Sequence, residues 1–100
     1  MDSRLELHNE LLQMVPNVYF QPPSNIQMKY PCIVYAKSDN EDLYANNRLY
    51  ATKQQYDLTL IEDDPTTEVA TNIRKHFSYC SISNYYVVDN LHHTKLNLYY

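Results

Sequence analysis

The sequence predicts an α+β fold, a two-layer sandwich in which a mostly antiparallel sheet carries helices on one face. Three observations predict it. Two stretches place apolar residues at helical spacing, one near each side of a run of strands. Five further stretches are rich in β-branched and aromatic residues, and the longest alternate apolar with polar. The resulting order, α-β-β-β-α-β-β, suits two packed layers sharing one core.

The first helix is predicted from a capping box, Ser3 followed by Glu6, ahead of Leu5, Leu11, Leu12 and Val15, with His8 on the same stripe. Pro16 and Asn17 stop it. Asn17 to Phe20 is a short β-prone segment closed by Gln21-Pro22-Pro23-Ser24. Tyr30-Pro31 leads into Cys32-Ile33-Val34-Tyr35, a continuous apolar run that reads as a central strand covered on both faces. A long strand is predicted from Arg48 to Glu62. In it Tyr50, Tyr56, Leu58 and Leu60 share one parity, and Lys53, Gln55, Asp57 and Thr59 take the other.

Asp64-Pro65 carries the signals of a second helix start, a capping carboxylate and a proline at the first helical position. Val69, Ala70, Ile73 and Phe77 form its apolar face, and Arg74, Lys75 and His76 suit its C-terminal dipole. Ser81 to Val88 and His92 to Tyr100 are strands around an Asp89-Asn90 turn, with Leu96, Leu98 and Tyr100 on one face of the last.

One hundred residues are expected to form a single domain, 1–100, with one modest core. No apolar run reaches membrane-span length and the first residues lack a signal-peptide pattern, so a soluble intracellular protein is expected. Eight basic residues against twelve acidic ones give a net charge of −4. Phosphate neutralisation needs clustered Lys and Arg, and these are few and scattered, which argues against a dedicated nucleic-acid binder. There is no glycine, which removes the phosphate-cradling loops of nucleotide-binding proteins and the G-x-S-x-G elbow. Eleven tyrosines stand against two phenylalanines and no tryptophan. Tyrosine suits thin cores and half-wet interfaces, since its ring buries while its hydroxyl seeks a partner.

No catalytic, cofactor or metal site is expected. Cys32 and Cys80 have neither ligand spacing nor a disulfide framework and read as buried thiols. His92 and His93 are adjacent on a strand and therefore face opposite sides, while His8 and His76 sit on separate helices. Glu62-Asp63-Asp64 has acidic ligands but lacks the periodicity of a calcium loop, and capping accounts for Asp64. The polar connection 36–50 exceeds the usual length of a plain loop. It reads either as a solvated hairpin extension or as an arm that contacts a neighbouring subunit. On the second reading Lys37, Asp39, Asn40, Glu41, Asp42, Tyr44 and Arg48 are the contact residues, the charges pairing across the interface and the tyrosine anchoring it.

Several stretches, taken in order, resemble the small tail terminator (tail completion) proteins of long-tailed bacteriophages. They are Leu5-Glu6-Leu7-His8, the segment Asn17 to Pro23, Met28-Lys29-Tyr30-Pro31-Cys32-Ile33-Val34-Tyr35, Tyr56 to Ile61, and Asp89 to His93 through Tyr99-Tyr100. The resemblance spans nearly the whole chain, and none of its pieces is a catalytic signature. It implies a non-enzymatic virion protein of the tail and neck, assembled in the host cytoplasm. It implies a ring of identical subunits, usually hexameric, set on the last ring of tail-tube protein. That ring stops tube growth and offers a surface to the head's connector or adaptor protein. DNA would pass through the lumen without specific binding, and an acidic protein suits that passage because like charge repels the duplex. A head-closure or neck adaptor of the same junction is the nearest alternative. A small cytoplasmic ligand-binding module or enzyme is a second, and it requires a pocket with convergent polar groups.

Overall fold

The structure is a computed structural model that describes residues 3–38, 54–64 and 66–100, excepting the Ser3 side chain. It contains α1 (Ser3–Leu12), β1 (Asn17–Phe20), β2 (Cys32–Lys37), β3 (Gln55–Glu62), α2 (Val69–His76), β4 (Cys80–Val88) and β5 (Leu91–Tyr99). The order matches the α-β-β-β-α-β-β expectation, and the chain is an α+β fold. The five strands form one sheet in the order β1-β2-β3-β5-β4, with β1 parallel to β2 and every other pair antiparallel.

The core lies between the sheet and both helices. Leu7, Leu11 and Val15 from the α1 end and Ile73 and Phe77 from the α2 end meet Ile33, Tyr35, Tyr56, Leu58, Leu60, Leu96 and Leu98. The strand residues are in register across the sheet: Ile33 lies opposite Leu60, Tyr35 opposite Leu58, and Leu58 opposite Leu96. The alternation expected for β3 therefore holds for Tyr56, Leu58 and Leu60, all buried. Tyr35 is the centre of an aromatic group, its ring 4.9 Å from Phe20 and 5.9 Å from Tyr56.

Several local expectations shift. The buried stripe of α1 is Leu7, Leu11 and Val15, a spacing of four that stays on one helical side, whereas Leu5 and Leu12 are exposed. Gln55, on the polar parity of β3, is also buried. The second helix begins at Val69 rather than at Asp64. Asp64 instead accepts hydrogen bonds from the Thr66 backbone N–H and hydroxyl at 2.9 and 2.7 Å, a local turn that holds its carboxyl below the usual range. Residues 48–53 of the long predicted strand, Pro65, and the Ser3 half of the capping box lie outside the described residues.

The hairpin of β4 and β5 shows how a chain without glycine turns. Asp89 and Asn90 take φ of 53° and 65°, the left-handed values a two-residue hairpin loop needs. Asp and Asn tolerate that region better than other side chains because their short polar groups bond to nearby backbone.

Candidate assembly interface

β4 occupies one edge of the sheet, with β5 on its inner side and no described strand on its outer side. Edge strands usually protect their unpaired N–H and C=O groups with charge, proline, short length or a bulge, and of these β4 has only a bulge, at Ser83. This strand has nine residues, Cys-Ser-Ile-Ser-Asn-Tyr-Tyr-Val-Val, without one charge or proline. Most of it is exposed: Tyr85 at 54%, Val87 at 51%, Val88 at 49% and Ile82 at 43%. The sequence marks it as a strand, and only the sheet order makes it an edge.

Register assigns the side chains to faces. Cys80 is paired with Leu98 and Ile82 with Leu96, both core residues, so Cys80 and Ile82 lie on the helix side. A bulge at Ser83 shifts the register, after which Tyr85 pairs with Thr94 and Val87 with His92. Tyr85 and Val87 therefore continue the helix-side row. Ser81, Asn84, Tyr86 and Val88 take the open face, where β3 and β5 contribute Asp57, Thr59, Lys95 and Asn97 to a shallow polar depression that Ser83 also lines. Each face carries one stacked aromatic pair: Tyr86 on His93, centroids 4.8 Å apart, and Tyr85 on His92 at 6.0 Å. These cross-strand pairs stabilise the hairpin.

Among the described residues, three clusters of titratable groups stand out. Under α1, the buried Tyr35 hydroxyl lies 2.8 Å from His8 Nδ1 and 3.5 Å from an Arg4 guanidinium nitrogen. Arg4 donates to the phenolic oxygen, and the phenol can in turn donate its proton to a neutral imidazole. Burial first, and the Arg4 charge second, lower the His8 pKa and favour that neutral form. The same guanidinium stands 4.5 Å from the centre of the Phe20 ring.

The second cluster clasps both helices to the chain's last residue. Glu10 of α1 accepts hydrogen bonds from the Tyr100 hydroxyl and from His76 Nε2 of α2, the latter at 2.9 Å. These bonds, the phenol's foremost, lower the Glu10 pKa, and the same carboxylate raises the Tyr100 phenol to about 12. The third lies at one end of the sheet. The buried Glu62 accepts from the Thr67 hydroxyl, and the Tyr85 hydroxyl bonds His92 Nδ1. A carboxylate and an imidazole on neighbouring strands are acid–base residue types. Each is already engaged with a hydroxyl of its own.

His92 and His93 face opposite sides, as expected from their adjacency. Burial raises the Cys32 and Cys80 thiols to about 11. Among the described residues no group of three His, Cys, Asp or Glu side chains is placed to hold a metal ion, and no helix is long and apolar enough to cross a membrane. Of the predicted contact residues, Lys37 ends β2, exposed, its backbone N–H donating to Gln21 Oε1 at 3.2 Å. Asp39, Asn40, Glu41, Asp42, Tyr44 and Arg48 lie outside the described residues. The sequence offers either helix or a sheet edge as the second patch of a ring contact without saying which strand is the edge, and β4 carries a detectable signal: nine residues without a charge in a chain that is 20% charged. No protein-family model, curated protein or solved structure matches the chain.

Proposed function

We propose that this chain is a structural subunit that works by assembly, forming the ring that ends a bacteriophage tail tube and joins the tail to the head. The observation that carries the assembly reading is the β4 edge, long, uncharged and lined by half-exposed apolar side chains. An uncharged edge with a row of half-exposed apolar side chains, interrupted by a single bulge, supports reading β4 as an association site. The resemblance to tail terminators supplies the setting, with tail-tube protein on one side and the head's connector or adaptor on the other. Net negative charge is compatible with a lumen through which DNA passes.

Ring closure needs two different patches that fit head to tail. The polar segment 36–50, with Lys37, Asp39, Asn40, Glu41, Asp42, Tyr44 and Arg48, is the proposed partner surface on one side of each subunit. Replacing Asp39, Glu41 and Asp42 together with serine tests that assignment, and unimpaired ring formation and infectivity would remove it. The wider proposal is tested by negative-stain microscopy of a phage lysate in which this chain's gene is interrupted. Overlong tubes without heads are the expected result. Normal tails beside leaking heads would move the protein to the head side of the neck.

A further inference from the structure

We propose that two copies of the free chain pair through their β4 edges as an antiparallel, two-fold contact that joins their sheets into one. This rests on the reading of β4 as an association surface, and it concerns the free chain rather than the ring.

The occupant follows from the strand itself. An isologous contact requires a surface that matches itself under a two-fold rotation. β4 contains a bulge at Ser83, and two bulged strands keep their side chains on matching faces along the whole of β4 only where the bulges meet. Pairing over the full length of β4 selects one register. Ile82 then lies opposite Tyr85 of the second copy, and Cys80 lies opposite its Val87. These are the four helix-side residues of β4, so the register sets aliphatic against aromatic and thiol against aliphatic in one apolar row. No charge is buried, because β4 has none. A charged strand from another protein would find no counter-charge along this edge.

Area sets the strength. Half-exposed Tyr85, Ile82, Val87 and Val88 together offer roughly 300 Å² per copy, on the scale of ~150–250 Å² for a fully buried aromatic. A tight interface removes about 800 Å² per partner. The backbone ladder adds to the side-chain area without closing that gap. The pair is therefore weak, and a two-fold contact closes on itself, so it cannot by itself build a ring. It covers the edge of the free chain until the ring contact replaces it.

The full chain is tested by sedimentation velocity across a dilution series and by cysteine trapping. Dimer at about 100 µM that dissociates near 1 µM is expected. Val87→Cys places a thiol opposite the Cys80 of the second copy, and directly opposed Cβ atoms at ~4.5–5.5 Å come within reach of disulfide geometry. Copper–phenanthroline oxidation should convert most of that variant to a covalent dimer. Val88→Cys, on the other face and opposite Tyr79 in this register, should stay at the wild-type level. Ile82→Lys should give monomer throughout the series. Monomer at every concentration, or trapping of Val88→Cys in place of Val87→Cys, would overturn the pair. Monomer at every concentration from a protein that tails still incorporate would overturn the pair while leaving the proposed function standing. A trapped dimer from a protein that tails never incorporate would do the reverse.

Discussion

Removing one hydroxyl, by Tyr100→Phe, isolates the clasp that ties the last residue to both helices. The ring remains against Phe77, 6.0 Å away, so the substitution changes the bond to Glu10 and little else. The phenol is raised from 10.0 to about 12, chiefly by that bond. Two pKa units correspond to ~2.7 kcal/mol at full coupling. Both partners are part-exposed, and screening by solvent reduces this to about 1 kcal/mol. In a domain of this size that is a fall in Tm of roughly 4–8 °C. The pH dependence follows from the two groups. Glu10 has a folded pKa below its ordinary 4.5, so its contribution is present above 4.5 and is lost as pH falls through the folded value. Tyr100 has a raised folded pKa, so its contribution is complete below pH 10 and is lost between about 10 and 12. Thermal melts followed by circular dichroism should thus show the Tyr100→Phe deficit at pH 7 and a much smaller one at pH 3. Glu10→Gln should cost a similar amount, and the double variant little more than the larger single loss. An equal deficit at both pH values, or additive losses, would refute a charge-assisted clasp.

Other consequences can be checked with the same protein. Leu98→Ala empties a site with no exposure between β3 and β4 and should cost about 2–5 kcal/mol, lowering Tm by roughly 10 °C or more in the same melts. His8 binds its proton less readily folded than unfolded, so wild-type Tm should decline as pH falls below 6.5, and His8→Gln should flatten that decline. With both thiols raised to about 11, Ellman's reagent at pH 8 should label Cys32 and Cys80 slowly in native protein and promptly in guanidinium.

The elements were legible in the sequence because each rests on local chemistry. Alternation fixed the inward row Tyr56, Leu58, Leu60, and the spacing of Val69, Ala70, Ile73 and Phe77 marked the face of α2. Where two local signals competed, the reading moved. Asp64 serves a turn through Thr66 rather than a helix cap, and both roles use the same carboxylate-to-backbone bond. Leu5 and Leu12 were grouped with the α1 stripe because leucines surround both of its sides, and only packing selects Leu7 and Leu11. Strand order is set by long-range pairing. Ser81 to Val88 reads as a strand with no place in the sheet until β5 is seen to insert between β3 and β4. The candidate interface was hidden for that reason: its composition is that of a core, and its position is that of an edge.

The central claim is that this chain ends the tail tube. The most direct measurement is immunogold electron microscopy of purified tails with antibody against the chain. A single cluster of gold at the head-proximal end of each tube is the predicted result. Label along the whole tube, on the heads alone, or on neither would contradict it.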